Sequence, residues 1–241
     1  MLSNYQNYLE KLNTVCKRKK IALLEIGRVG FKKEYPIYKI VINKNKKGKV
    51  ICFSAGIHGY EIAGPWTVLE FLKKLNIKKL GNVKLIIFPV VNPSGFDKIM
   101  RRNYLNKDLN GHFCHKKLIG ENKIIIESLK GEKIYFFYSL HEDVDDKKFY
   151  IYNFEAKEEK IYRDIIKLAN KYFPINLAKE IYDDPATGGL IINRKDGSFE
   201  DRLFREGTPY SMCAETPGKQ PLKKRVDLGV KIMEKIIKFS S

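Results

Sequence analysis

What most constrains this chain is a repeated order along it: a short apolar run, then a cluster of glycine and polar residues, then a stretch with helical spacing. Four runs read as buried strands, at 49–55, 83–91, 133–140 and 210–214, because each is apolar or β-branched and is stopped by turn residues. Helical spacing is found at 62–75, 122–129, 156–173 and 222–239. Strands alternating with helices predict an α/β fold, a sheet covered on both faces in three α/β/α layers. The earlier segment 21–43 predicts a hairpin on the sheet's edge. Glycines 188, 189 and 197 break up the region before the last strand, which predicts a long surface loop.

Composition narrows the reading. With 241 residues, 44% hydrophobic and 31% charged, the chain predicts one compact domain over 1–241 rather than disorder. No apolar run approaches the ~18 to 20 residues of a bilayer-spanning helix, and the first residues are polar and helical rather than signal-like. A soluble cytoplasmic protein with no membrane partner is expected. Cys16, Cys52, Cys114 and Cys213 form no close pairs, so free thiols are expected. The 46 Lys and Arg against 28 Asp and Glu give a net charge of +18, spread in runs such as 17–20, 44–49 and 223–225 that read as solvated surface.

The chemistry lies in the polar residues just past each strand. Gly56-Ile57-His58-Gly59-Tyr60-Glu61 comes after the first, Asn92-Pro93-Ser94-Gly95 and then Arg101-Arg102-Asn103 and Asp108-Leu109-Asn110 after the second, His141-Glu142-Asp143 after the third, and Glu215-Thr216-Pro217-Gly218 after the fourth. Carboxyl ends of strands in an open α/β sheet meet at one crevice. Two imidazoles and a carboxylate, His58, Glu61 and His141, have the composition of a catalytic site for one zinc ion, with a fourth position left for water. Gly56 and Gly59 allow the tight turn that aims His58 and Glu61 together. Glu215 is placed to act as general base and Arg101 to stabilise an oxyanion.

Taken in order, His58-x-x-Glu61, Asn92-Pro93-x-Gly95, Arg101-x-Asn103, Asp108-Leu109-Asn110, Leu140-His141 and Glu215 resemble the zinc carboxypeptidases of the M14 class in their short bacterial and archaeal form, over about residues 30 to 235. The resemblance implies a mixed, mainly eight-stranded sheet, one Zn²⁺, and hydrolysis of a C-terminal or side-chain amide bond in a small peptide or peptide-like conjugate. It implies that His58, Glu61 and His141 are ligands, Glu215 the base and Arg101 the group that polarises the scissile carbonyl. Asn110 matches the asparagine that holds the substrate's terminal carboxylate, with Arg102 and Asn103 beside it as further substrate contacts.

One departure bears on specificity: family members carry arginine directly after that asparagine, and this chain carries Gly111. Glycine cannot grip a carboxylate bidentately. Either Arg102, Arg194, Arg202 or Arg205 substitutes for the arginine, or the substrate presents something other than a free α-carboxylate. No tyrosine matches in the loop before Glu215, since Tyr210 reads as a structural strand residue.

Two competing functions remain. The aspartoacylase and succinylglutamate desuccinylase group shares the His-x-x-Glu and later histidine but cleaves N-acyl amino acids. Its β-rich extension past the catalytic glutamate compares with about 26 residues here, most of them one helix, which favours the carboxypeptidase form. A basic nucleic-acid-binding or adaptor protein on a dead hydrolase fold predicts a degraded metal set. His112 and His115 flank Cys114 without the paired halves of a structural zinc module, so a partly exposed loop is expected there. Glu142 or Asp143 is expected either to stay solvated or to orient a ligand histidine, and Asp108 to form a turn that positions Asn110.

Overall fold

The computed structural model describes residues 4–155 and 159–241. Its strands are β1 Ala22–Val29, β2 Tyr35–Ile42, β3 Val50–Ala55, β4 Lys84–Phe88, β5 Ile134–Asp143, β6 Tyr150–Phe154, β7 Glu180–Ile181, β8 Asp184–Pro185, β9 Leu190–Ile192 and β10 Tyr210–Pro217. Its α-helices are α1 Tyr5–Lys19, α2 Ala63–Lys74, α3 Pro93–Lys98, α4 Gly120–Ser128, α5 Lys160–Ala169, α6 Phe199–Arg205 and α7 Leu222–Ser240. Eight strands form one mixed sheet in the order β1-β2-β4-β3-β5-β10-β6-β9, and β7 with β8 makes a separate ribbon.

The four apolar runs form the parallel centre, β4, β3, β5 and β10. Their near-continuous apolar character has a direct cause, because both faces are covered. Side chains alternate across β5: Phe136 meets Tyr162 of α5 and Phe239 of α7, whereas Phe137 meets Phe199 of α6 on the other face. The edge hairpin is present as antiparallel β1 and β2. Parallel alignment brings four carboxyl ends to one edge of the sheet.

Several boundaries differ from expectation. β5 continues through His141 to Asp143 and β10 through Glu215 to Pro217, because the two strands keep their backbone ladder and pair His141 with Glu215. Polar side chains do not end these strands, since the ladder is a main-chain property. β4 stops at Phe88, before Pro89, which has no N–H to donate. Helix 156–173 is observed as α5, with residues 156–158 lying outside the described ones.

The expected long loop is a correction. Its residues form β7, β8, the edge strand β9 and helix α6. α1 is amphipathic, burying Tyr5, Tyr8, Leu9 and Leu12, and Asn4 caps it by accepting from Asn7 N at 2.9 Å, a cap worth ~1 kcal/mol.

All four cysteines are free. The lysine runs are solvated apart from Lys19, which donates to Leu75 O, and Arg225, which pairs with buried Glu142 and ties α7 to the end of β5. Among the described residues no helix is long and apolar enough to cross a membrane.

Candidate active site

His58 and Glu61 sit in the turn between β3 and α2. Two glycines shape that turn for different reasons. Gly56 has φ +65°, the left-handed region that disfavours side chains, while at Gly59 a Cβ would lie 1.9 Å from the backbone of Gly95. The turn places His58 Nδ1 2.6 Å from Glu61 Oε1. His141 arrives from β5 with its Nδ1 3.0 Å from Glu61 Oε2. All three residues are buried, and their donor atoms lie within 4.8 Å of one another. Glu61 Oε2 has no hydrogen-bond partner of proper geometry. Two imidazole nitrogens and a carboxylate converging on one buried point, one oxygen left over, fit the donor set and spacing zinc requires.

Electrostatics agree with that convergence. Burial alone would raise the Glu61 carboxyl, but the charges and hydrogen bonds of His58 and His141 outweigh it and bring it down to about 2. Glu215, beside His141 in the β5–β10 register, is compensated less by the imidazoles. Burial pushes its carboxyl up to about 7, with His141 opposing and Glu61 adding to the rise. Two carboxylates in one site thus divide between a permanently ionised one and one that exchanges a proton near neutrality.

Asp108 does more than form a turn. Its Oδ1 lies 3.1 Å from His58 Nε2 and accepts from Asn110 N, while its Oδ2 accepts from Arg101 Nε at 2.7 Å. Burial would raise its carboxyl, and His58 and Arg101 together hold it well below the usual range. Arg101 also donates to Tyr60 Oη at 2.8 Å, so the guanidinium at the rim is fixed in two directions.

A cavity of about 550 Å³ opens over these groups, and His58, Glu61, Arg101, Asn110, His141 and Glu215 all line it. Arg102 and Asn103 do not. Arg102 is exposed and donates to Asn106 O, and the Asn103 side chain is spent on Glu121 and on the amides of Leu105 and Lys107. The structure therefore brings neither to the place where a substrate contact was expected. Gly111 is at the wall, and among the substitute arginines Arg194 alone lines the cavity, its Nε 3.1 Å from Asp184 Oδ2. Arg202 and Arg205 pair with Glu206 and Asp201.

Neither Glu142 nor Asp143 orients a ligand histidine. Glu142 binds Arg225 and Ala63 N; Asp143 accepts from the hydroxyls of Tyr150 and Tyr182. His112 is half-buried and His115 exposed, as a partly exposed loop requires. Tyr210 stacks on Phe136 at 5.6 Å, in keeping with a structural role.

Three residues at the site go beyond what the sequence reading assigns there. Tyr182 reaches the cavity from the β7–β8 turn at φ +51°, and nothing in its sequence context marks it. Asp108 is conspicuous in the sequence, but only as a turn-former. Glu200 lies in α6, whose start carries a readable signal: Ser198-x-x-Asp201 is a capping pattern, and Ser198 Oγ accepts from Asp201 N.

Comparison with known proteins bears on the fold that carries this site. Residues 47–145 match the succinylglutamate desuccinylase/aspartoacylase catalytic domain, the group that the sequence ranks second to the carboxypeptidases. No curated protein matches. A protein from Shewanella amazonensis assigned as a metallopeptidase is 29% identical, with a TM-score of 0.92 over 100% of this chain and 94% of that one. Another so assigned, from Shewanella denitrificans, is 29% identical with a TM-score of 0.89 over 99% and 91%. A metallo-carboxypeptidase from Burkholderia cenocepacia, 15% identical, shares the fold with a TM-score of 0.72 over 96% and 67%. The chain thus shares the fold of these metallopeptidases over its length and resembles the succinylglutamate desuccinylase/aspartoacylase catalytic domain over residues 47–145.

Proposed function

We propose that residues 1–241 form one catalytic domain, a zinc-dependent hydrolase that cleaves an amide bond in a small peptide or peptide-like conjugate. The observation that carries this reading is the buried convergence of His58, Glu61 and His141 beside the proton-exchanging carboxyl of Glu215. His58, Glu61 and His141 would hold the ion, which supplies a Lewis acid and makes water nucleophilic near neutral pH. Glu215 takes the proton of the attacking water and returns it to the leaving nitrogen. Arg101, held by Asp108 and Tyr60, donates to the carbonyl oxygen as negative charge grows there. Asn110 turns its Oδ1 toward Phe199 N at 3.3 Å, so its amide NH₂ is the group offered to substrate.

The retained set argues against a non-catalytic adaptor. The domain match over residues 47–145 favours a second reading, deacylation of an N-acyl amino acid by the same machinery. Zinc-loaded protein assayed on acyl-dipeptides and on N-acyl amino acids separates the two, and stripping with a chelator followed by zinc addition tests both. Hydrolysis lost on stripping and restored by zinc is expected. Chelator-insensitive hydrolysis, or none on either substrate class, would overturn the proposal.

Specificity carries its own prediction. A Cβ at Gly111 would meet nothing within 4 Å, so a longer side chain has room. Gly111→Arg is expected to raise kcat/KM about tenfold or more for substrates with a free terminal carboxylate relative to their amides, because a bidentate guanidinium–carboxylate pair is restored. An unchanged ratio would place the carboxylate elsewhere.

A further inference from the structure

Beneath the site lies a column of polar groups that a hydrophobic sheet does not otherwise need. Ser54 on β3 and Ser139 on β5 are fully buried, and Ser54 Oγ donates to Ser139 Oγ at 3.0 Å. The Ser139 hydroxyl lies beside the carboxylate of Glu200, which is 1% exposed. Ser211 Oγ donates to the Glu200 carbonyl at 2.9 Å and Ser198 caps the start of the same helix, so the backbone that carries the residue is held. The column ends at the metal centre. Glu200 Oε1 lies 3.9 Å from His141 Nε2, and both atoms are buried without a partner.

Two unpartnered buried polar atoms each carry a desolvation cost of ~1–3 kcal/mol, and a single contact between them removes both. The gap takes a bridging water only if its two ~2.8 Å legs meet near ~90°, tighter than water's preferred angle, so direct contact is the better pairing. It is about 1 Å longer than a direct bond, a distance that a small rotation of the imidazole about its Nδ1 side closes. His58 already has the equivalent partner, since its Nε2 faces Asp108 at 3.1 Å.

We propose, resting on the metal-site reading above, that Glu200 is a positioning residue: its carboxylate accepts the Nε2–H of His141 and so fixes the tautomer that presents Nδ1 to the ion. The Ser54–Ser139 pair stands behind that carboxylate. Both ligand histidines are then backed by carboxylates from outside the ligand set, Asp108 from the loop after α3 and Glu200 from α6. Such partners typically contribute roughly 10–100-fold to metal affinity.

The test is zinc affinity by chelator competition, alongside observation of the His141 Nε2–H proton by NMR in the metal-free protein. Glu200→Ala is expected to weaken zinc binding roughly 10–100-fold, and Glu200→Gln, which keeps shape and an acceptor oxygen, roughly 3–10-fold. Exposed Glu206→Gln is expected to change nothing. The slowly exchanging His141 Nε2–H resonance of the parent is expected to be lost in Glu200→Ala and retained, shifted, in Glu200→Gln. A purely structural role would lower the melting temperature of the metal-free variants while leaving the zinc affinity of the folded fraction and the proton resonance unchanged, and that result would overturn the proposal. If Glu200→Ala does not fold, Glu200→Gln decides by the same two readouts. If the parent binds no zinc, the function proposed above fails, and the Nε2–H resonance by itself upholds or rejects the Glu200–His141 contact.

Discussion

Replacing Glu215 by glutamine is expected to cut turnover at least ~100-fold while leaving zinc bound, since general acid–base transfer contributes ~10²–10⁴-fold and the amide can neither take nor return a proton. The same substitution is expected to stabilise the metal-free protein at pH 8. Folding raises this carboxyl from 4.5 to about 7, so the folded state holds a proton that the unfolded state has lost, and stability falls as pH rises through that window. Glutamine removes the dependence, for a gain on the order of 1–3 kcal/mol at pH 8 and little at pH 4. Denaturant melts at the two pH values read the second effect and single-turnover assays the first. Retained turnover would remove Glu215 from the chemistry. A stability gain equal at both pH values would mean that ionisation is not its cause.

His141→Ala is the second large effect. A supporting carboxylate alone is worth roughly 10–100-fold in affinity, so loss of the ligand itself is expected to exceed ~100-fold and to leave the protein without zinc after dialysis. Metal-free stability should fall as well, because Glu61 is fully buried and would keep only His58 as a neighbouring imidazole; breaking a buried pair costs ~3–5 kcal/mol. Metal content by mass spectrometry of the folded fraction separates the two losses. Undiminished zinc in a folded variant would exclude His141 as a ligand.

The parallel centre of the sheet is legible because covered strands are apolar on both faces, and the polar clusters after them point to one edge. The edge and ribbon elements are not. β6 and β9 are short strands pairing through backbone bonds, which carry no side-chain signature, and a glycine-rich stretch hides α6 despite the capping pattern at Ser198. At the site, His58, Glu61, His141, Arg101 and Glu215 are readable from residue type and order, and the structure brings them together around one cavity. The supporting carboxylates are not readable in the same way. Asp108 sits 50 residues from His58, and Glu200 is still farther along the chain from His141, so only the fold reveals which imidazole each one faces. Arg102 and Asn103 lie off the cavity for a local reason: the loop uses their side chains to hold its own backbone and α4.

The proposed chemistry stands or falls on where a single ion sits. Anomalous scattering at the zinc edge from crystals grown with zinc is expected to give one strong peak ~2.0–2.2 Å from His58 Nδ1, a Glu61 oxygen and His141 Nδ1, with the Glu215 carboxylate across the open position. Zinc bound elsewhere, or the imidazoles of His58 and His141 turned into separate pockets with no shared peak, would contradict it.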